Sequence, residues 1–184
     1  AMGVVNVVGS TIARECGRGV YIHSGPEMAV ASTKAFSNMI AAVYLFTLQI
    51  ARTRTLSPFQ GQRFVEALAE MPDMVESFLN NQPDIDPLVK WVSEAKSVFF
   101  LGRGFSAPVA AEGALKLMEV AYIPSFAYPS GEMKHGPIAL MEKGTPVIVI
   151  APDDALKEKS LSNLQECKAR GARVALIHTE GDPI

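Results

Sequence analysis

Residues 97–121, SVFFLGRGFSAPVAAEGALKLMEVA, decide the fold that this sequence predicts. The segment opens with an apolar run, Ser97–Leu101, which is typical of a strand buried in a parallel sheet. Gly102–Gly104 then provides a turn, and Pro108 falls in the first turn of a helix capped near Ser106. A strand, a glycine turn and a helix in this order predict an α/β fold in which a polar ligand binds at the carboxyl ends of the strands.

Strands and helices continue to alternate after this segment. Ile123–Tyr128 and Thr145–Ala151 are apolar runs of strand length. Asp153–Arg170 has the pattern of an amphipathic helix with Gly171 at its C-cap position, and Val174–His178 predicts a further strand. We expect a parallel sheet flanked by helices, because right-handed crossovers between parallel strands place helices against the sheet.

The first part of the chain predicts a shorter α/β element and a helical connector. Gly3–Val8 reads as a buried strand, and Ser32 or Thr33 caps a helix that runs to about Arg54. Residues 55–95 have helical periodicity between prolines. The prolines that we expect to separate these helical pieces are Pro58, Pro72, Pro83 and Pro87.

Charge and composition exclude several classes of partner. The net charge is −2, the isoelectric point is about 6.0, and lysines and arginines are scattered along the chain. We therefore expect no nucleic-acid partner and no attraction to an anionic membrane. Cys16 and Cys167 lie far apart, and the three histidines lack metal-ligand spacing. This pattern predicts free thiols, a reducing cytoplasmic compartment, no metal and no other cofactor.

One apolar segment is nearly long enough to cross a bilayer. Ala35–Ala51 contains no charged residue, but it includes Ser37 and Asn38, and Lys34 and Arg52 flank it. A helix that is apolar on all sides is more simply explained by burial in protein. We therefore expect a buried core helix or a dimer-core helix, and no membrane span.

The residues suited to chemistry lie mainly between positions 112 and 135. Glu112, Lys116 and Glu119 are spaced i, i+4 and i+7, so they share one face of the predicted helix. His135 ends a turn-rich segment that follows this helix. Carboxylates, an ammonium and an imidazole suit proton transfer on a small polar substrate. By spacing alone, however, the same residues fit a solvated helix face and a turn held by a histidine.

A second candidate surface precedes the apolar helix. Val30, Ala31 and Ser32 offer backbone N–H groups and a hydroxyl at a helix N-terminus, which suits sugar hydroxyls or a phosphate. From the residues alone, Ser32 is better explained as an N-cap residue without a ligand.

Three sequence motifs resemble one enzyme family. EGALKLMEVAYI (112–123) followed by GEMKHGPIAL (131–140) is similar to the second sugar isomerase (SIS) domain of the glutamine–fructose-6-phosphate aminotransferases. EMAVASTKAF (27–36) is similar to the start of the matching helix in the first SIS domain of that family. The order and the spacing of the motifs also match.

The resemblance implies a domain organisation. It predicts a three-layer α/β fold of the SIS type, with a parallel sheet flanked by helices. Residues 1–54 would be the C-terminal part of a first SIS domain, residues 55–95 a helical linker, and residues 96–184 a second SIS domain without its C-terminal end.

The resemblance also implies a reaction and roles for individual residues. The reaction would convert fructose 6-phosphate and glutamine-derived ammonia to glucosamine 6-phosphate. Glu119 would move a proton between C1 and C2 of the sugar, and His135 would assist ring opening at the site of the neighbouring subunit in a homodimer. Lys116 and Glu112 would orient these groups and the substrate. The sugar-phosphate contacts of the first SIS domain would be Val30, Ala31 and Ser32.

The sequence departs from the family pattern in ways that affect the prediction. A glutaminase domain, a phosphate loop before Gly3 and a C-terminal tail with a Schiff-base lysine are absent from these 184 residues. We therefore expect an internal fragment that is inactive by itself and whose natural partner is the glutaminase domain of the same enzyme. Two alternatives fit the same residues. One is a related double-SIS fructosamine-phosphate deglycase or aldose–ketose isomerase, and the other is a non-catalytic sugar-phosphate sensor.

Overall fold

Apolar runs of about five residues form the strands of this protein, and longer periodic segments form its helices. The computed structural model describes residues 1–183, and the chain divides after Pro83 into two compact units. We call residues 1–83 the first unit and residues 84–183 the second unit. The elements in chain order are β1 (Gly3–Val5), α1 (Thr11–Cys16), β2 (Gly19–Tyr21), α2 (Thr33–Arg52), α3 (Pro58–Asn80), α4 (Asp86–Ser93), β3 (Val98–Gly102), α5 (Ser106–Ala121), β4 (Ser125–Pro129), two 3-10 turns (Ser130–His135 and Pro137–Leu140), β5 (Pro146–Ile150), α6 (Lys157–Ala169) and β6 (Arg173–Ile177).

The strand, glycine turn and helix predicted for residues 97–121 are confirmed. Gly102 is required because a β-carbon there would overlap the backbone carbonyl of Ser106 at the start of α5. Gly104 has a φ of +54°, a left-handed conformation that glycine adopts without strain. The helix starts at Ser106, close to the predicted cap, but the side chain of its N-cap residue Phe105 makes no capping hydrogen bond.

The second unit contains a four-stranded parallel sheet. Its spatial order is β4-β3-β5-β6, and all three strand pairs are parallel. Side chains of β3 alternate between the two faces, because successive residues of a strand point in opposite directions. Phe99 and Leu101 pack on the face covered by α6, while Val98 and Phe100 pack on the face covered by α5. The parallel sheet flanked by helices is the predicted α/β architecture.

Helix α4 packs with the second unit. Val92 is buried together with Phe100 and Ala114, and Leu88 and Trp91 contact the same cluster. Residues 86–93 thus lie within the range predicted as a helical linker, yet they cover part of the sheet. Packing against the sheet removes the apolar face of α4 from water, and this burial favours the observed position of the helix.

The first unit has little buried apolar area in comparison. β1 and β2 form a two-stranded parallel sheet. The buried hydrophobic cluster consists of Ile22, Ala35 and Ala42, with Val4 packed against it. The predicted strand over Gly3–Val8 ends at Val5, because Val7 and Val8 lie in an exposed turn.

Helix α2 is not the buried core helix of the first unit, and the alternative of a dimer-core helix stays a prediction. Within the first unit only Ala35 and Ala42 are buried along its length. Its large apolar side chains are each at least 41% exposed at Met39, Ile40, Val43, Tyr44, Leu45, Phe46 and Ile50. By length and composition α2 meets the criteria for a membrane-spanning helix, which the core helix of a soluble protein also meets.

Helix α3 runs through a proline that we expected to separate two helical pieces. Pro72 lies inside the continuous helix Pro58–Asn80, so its missing N–H removes one hydrogen bond without ending the helix. At its start, Ser57 accepts a hydrogen bond from the Gln60 amide while the Gln60 side chain accepts one from the Ser57 amide. This capping box fixes the beginning of α3.

Candidate functional site

Three charged side chains predicted on one helix face do meet on α5. Lys116 Nζ lies 3.1 Å from Glu112 Oε1 and 2.9 Å from Glu119 Oε2. The three side chains are 22–29% exposed, so each is partly shielded from water while still open to a ligand. The i, i+4 and i+3 spacings bring them together because such residues are neighbours on a helix surface.

The ammonium of Lys116 is held in its charged form by this arrangement. The hydrogen bond to Glu119 raises the pKa of Lys116 above its ordinary value of 10.5, and Glu112 contributes in the same direction. Partial burial lowers the pKa, but its effect is smaller than that of the Glu119 hydrogen bond. The shift favours the charged form, so Lys116 is suited to the role of a cation and hydrogen-bond donor at neutral pH.

Glu119 retains a carboxylate oxygen for a ligand. Its Oε2 accepts the hydrogen bond from Lys116. Among residues 1–183, no side chain or backbone group donates a hydrogen bond to its Oε1. An ionised carboxylate accepts through both oxygens, so Glu119 can hold its lysine partner and receive a proton at the same time.

Glu119 precedes strand β4 in the chain, and His135 follows it. Helix α5 starts at the carboxyl end of β3 and runs back along the sheet, so Glu119 lies six residues before β4 begins. His135 lies six residues after β4 ends, on the 3-10 turn Ser130–His135. The five residues of β4 span about 15 Å between the two ends of the strand, at roughly 3.3 Å per residue. Within the described residues, no hydrogen bond or ion pair joins His135 to the Glu112–Lys116–Glu119 group.

The third group of predicted residues lies in the first unit, at the start of α2. Val30 is 80% exposed, and Ala31 and Ser32 are partly buried. Ser32 occupies the N-cap position, but its φ of +54° is left-handed and its side chain makes no capping hydrogen bond. The interpretation of Ser32 as a side-chain N-cap is therefore wrong. Its hydroxyl has no hydrogen-bond partner within the described chain.

Another residue, Glu27, caps α2 in place of Ser32. Glu27 Oε1 accepts a hydrogen bond of 2.8 Å from the Ala35 amide. The loop before the helix is held by Asn6, which accepts from the Ser24 amide, and by Asn38, which donates to the Ser24 hydroxyl. Sequence reasoning missed these roles, because a cap eight residues before its donor has no local spacing pattern.

The second unit also contains a cavity apart from these residues. It has a volume of about 500 Å³ and is lined by Trp91, Lys96, Glu142 and Thr145, among others. None of the predicted site residues lines it. Across residues 1–183, no group of three or more histidine, cysteine, aspartate or glutamate side chains could hold a metal ion.

The chain is similar to known proteins of one family. The family model described as "SIS domain" matches residues 92–184. The glutamine–fructose-6-phosphate aminotransferase [isomerizing] of Leifsonia xyli subsp. xyli is 49% identical over 187 residues, a match that covers 99% of this chain and 30% of that protein. An enzyme of the same name from Thermus thermophilus is 46% identical over 183 residues, with the same two coverages.

A solved structure resembles the whole chain as well. It is the C-terminal domain of glucosamine-fructose-6-phosphate aminotransferase from Francisella tularensis, with 41% identity and a TM-score of 0.93. The match covers 97% of this chain and 50% of that one. The present chain therefore spans about 30% of the length of the curated relatives and half of this solved domain.

Proposed function

The chain belongs to the SIS domain family, and from this premise we propose that it supplies part of the isomerase portion of a glutamine–fructose-6-phosphate aminotransferase. The observation that carries the proposal is the Glu112–Lys116–Glu119 group on α5, in a chain 46–49% identical to enzymes of that name. The reaction would convert fructose 6-phosphate and ammonia from glutamine to glucosamine 6-phosphate. Residues 1–54, 55–95 and 96–184 would be parts of the first SIS domain, the linker and the second SIS domain.

Glu119 is the proposed proton carrier of the isomerisation. A ketose becomes an aldose when a proton leaves C1 and a proton is added at C2, and one carboxylate can perform both transfers. The carboxylate oxygen of Glu119 that Lys116 does not occupy suits this role. Lys116 stays protonated, so it would stabilise negative charge that develops on the substrate oxygen, and Glu112 would hold Lys116 in place.

Sugar-phosphate contacts are also proposed in the first unit. The free hydroxyl of Ser32 and the backbone of Val30 and Ala31 are the groups that would make them. The left-handed Ser32 supports the proposal, because a strained backbone at a non-glycine residue is more common at functional sites. Both cysteines are unpaired, which agrees with a reducing, cytoplasmic compartment.

His135 is proposed to open the sugar ring at the site of a second subunit. The support is that α5 carries Glu119 before the start of β4, whereas His135 follows the end of β4, and no hydrogen bond or ion pair joins them within the described chain. Histidine in general is a suitable acid for the ring oxygen, because the ordinary pKa of its side chain, about 6.5, lies near neutral pH. The proposal therefore requires a homodimer.

The role of Glu119 is tested by Glu119→Gln in the complete enzyme. We expect isomerisation to fall by about 100-fold or more, the usual contribution of a general base, while glutamine hydrolysis continues. Glu158→Gln, which changes an exposed carboxylate on α6, is the matched control and should leave both activities unchanged. If Glu119→Gln isomerises at the wild-type rate, Glu119 is not the proton carrier.

The role of His135 in the neighbouring subunit is tested by mixing two inactive variants. Glu119→Gln and His135→Ala dimers are dissociated, mixed and reassociated. Half of the randomly mixed dimers would be heterodimers with one intact site, so about a quarter of the wild-type activity should return. If both residues served the site of their own subunit, mixing would restore no activity.

A further inference from the structure

The turn that carries His135 has three distinct faces. Ser130–His135, which we call the His135 turn, is a 3-10 helix, so residues three apart lie in one row. Ser130 and Met133 form one row and are fully buried. Gly131 and Lys134 form the second row, which lies next to the side chains of Arg103 and Glu166. Glu132 and His135 form the third row, which is exposed to solvent.

Helix α6 contacts the first two rows. In the buried row, the Cys167 thiol lies 3.0 Å from the Met133 sulfur. In the second row, Lys134 Nζ pairs with Glu166 Oε1 at 2.7 Å. Adjacent residues of α6 thus bind two adjacent rows of the turn, and the third row keeps its exposure.

Arg103 completes the contact from the end of β3. Its Nη2 donates to Asn163 Oδ1 at 3.4 Å, and Asn163 Nδ2 in turn donates to Glu166 Oε2 at 3.4 Å. The guanidinium also covers Gly131, because a β-carbon at that position would lie 2.9 Å from Arg103 Nη2. The contacts therefore form a closed path that leaves the turn at Lys134 and returns to it at Gly131.

This path contributes little to the global stability of the second unit. Two of its hydrogen bonds are 3.4 Å long, and the Lys134 side chain is 56% exposed, so its ion pair is screened by water. Arg103 Nε and the Ser130 hydroxyl are buried without a hydrogen-bond partner in the described chain, which is unfavourable. These contacts stabilise the fold little, but they fix the position of the turn. We therefore interpret them as contacts that orient its exposed row, Glu132 and His135.

We propose that Arg103, Asn163 and Glu166 form a clamp that fixes the orientation of the His135 turn, and that Arg103 and Glu166 are positioning residues for sugar ring opening. The inference rests on the ring-opening role proposed above for His135. It extends that role by stating what holds the imidazole in place. Small displacements of a proton donor cause large losses of rate, so a clamp built from weak contacts is sufficient to affect catalysis.

Gly131→Ala breaks the clamp most directly. The added methyl group displaces the Arg103 guanidinium, while the backbone of Gly131 has no left-handed φ that alanine would strain. With fructose 6-phosphate, we expect kcat of the complete enzyme to fall about 10- to 100-fold, while KM changes less than about twofold. The matched control is Gly61→Ala, whose methyl group would meet the Arg52 side chain in the first unit and should change neither constant.

A substrate that cannot form a ring distinguishes a loss of His135 positioning from a general loss of catalytic activity. In 5-deoxyfructose 6-phosphate the hydroxyl that closes the furanose ring is absent, so the sugar is always open. Gly131→Ala should convert this analogue within about twofold of the wild-type rate, because the step that needs His135 is bypassed. An equal loss on both substrates, or a loss on neither, would overturn the proposal.

A double-mutant cycle tests whether Arg103 causes the loss. If the methyl group acts by displacing Arg103, Gly131→Ala should cause no further loss in the background of Arg103→Ala. Additive losses would overturn the role of Arg103. Exchanging the ion pair with Lys134→Glu and Glu166→Lys together should restore more activity than either single variant shows, and a double variant as poor as the singles would overturn the role of Glu166.

Amide exchange of residues 130–136 decides the proposal independently of activity. We expect faster exchange in Gly131→Ala and in Glu166→Gln than in the wild type and in the Lys159→Met control on α6. If the wild type fails to convert fructose 6-phosphate, the proposed function is wrong, yet faster exchange in these variants still supports the clamp. Unchanged exchange would overturn the clamp whether or not the enzyme is active.

Discussion

The second unit holds its candidate residues on a packed frame, whereas the first unit holds them on a loop. Phe99 of β3 is 1% exposed between α6 and the sheet, while Phe46 of α2 is 41% exposed. Glu119 and His135 therefore project from elements anchored by buried side chains on both faces of the sheet. Ser32 instead follows a loop whose shape depends on polar contacts from Asn6, Glu27 and Asn38.

Because of this difference, we expect the two candidate surfaces to respond differently to mutation. Removing core volume in the second unit should disturb the frame of its site, because close-packed interiors transmit strain. In the first unit, comparable substitutions on α2 remove little buried area, so the polar contacts at helix ends matter relatively more.

The largest difference should appear between two phenylalanines. Phe99→Ala should lower the free energy of unfolding of the second unit by about 3–5 kcal/mol, because it leaves a cavity in a packed core. Phe46→Ala should cost about 1–2 kcal/mol, because its side chain is 41% exposed and has less buried area to lose. Urea denaturation measures the first value through the fluorescence of Trp91, the single tryptophan, which lies in the second unit.

The outcome for Phe46 also tests the exposure of α2. If Phe46→Ala destabilises the chain as much as Phe99→Ala does, α2 is covered in solution, and the contrast between the two units fails. Circular dichroism at 222 nm, followed in the same titration, reports the helices of both units and detects a loss confined to the first.

A smaller effect should come from the buried thiol of the second unit at alkaline pH. Burial raises the pKa of Cys167 from its ordinary value of 9.0 to about 11, and the nearby charge of Glu166 adds to the shift. The folded state therefore keeps its proton where the unfolded chain loses one, so this contribution to stability is complete below pH 9 and is lost as the pH rises to 11.

Cys167→Ala isolates that contribution. At pH 10.5 the thiol should account for about 2 kcal/mol of the fall in unfolding free energy, since one pKa unit corresponds to about 1.4 kcal/mol. The variant should therefore lose less stability than the wild type between pH 8 and pH 10.5. Cys16→Ala in the first unit is the control, and it should follow the wild-type pH dependence. A parallel decline in all three proteins would contradict the prediction.

Local sequence patterns predicted much of this structure because local physics determines it. The apolar run at β3 with its glycine turn gave the strand and helix that form there, and the i, i+4, i+7 spacing on α5 gave the two ion pairs of Lys116. The pattern Ser57-x-x-Gln60 was a readable signal for the start of α3, which sequence reasoning missed.

Features that depend on distant residues could not be read in the same way. The apolar pattern of α2 is the same whether its side chains are covered or exposed, so its exposure needed the structure. Lys134 and Glu166 are 32 residues apart in sequence, and only the packing of α6 against the His135 turn joins them. The left-handed Ser32 was also unexpected, because a serine before a helix usually adopts an extended conformation as an N-cap.

The smallest predicted effect compares two serines at helix starts within the first unit. Ser57→Ala removes a side chain that accepts the Gln60 amide hydrogen bond, so it should cost about 1 kcal/mol of local stability. Ser32→Ala removes no capping bond and should cost less than about 0.5 kcal/mol. Amide exchange across residues 57–62 and 33–38 gives the two local free energies. Equal costs would mean that Ser32 caps α2 in solution, which would remove its free hydroxyl from the proposed sugar-phosphate surface. A cost confined to Ser57 would leave that hydroxyl available, and Ser32 would then have a role in binding rather than in stability.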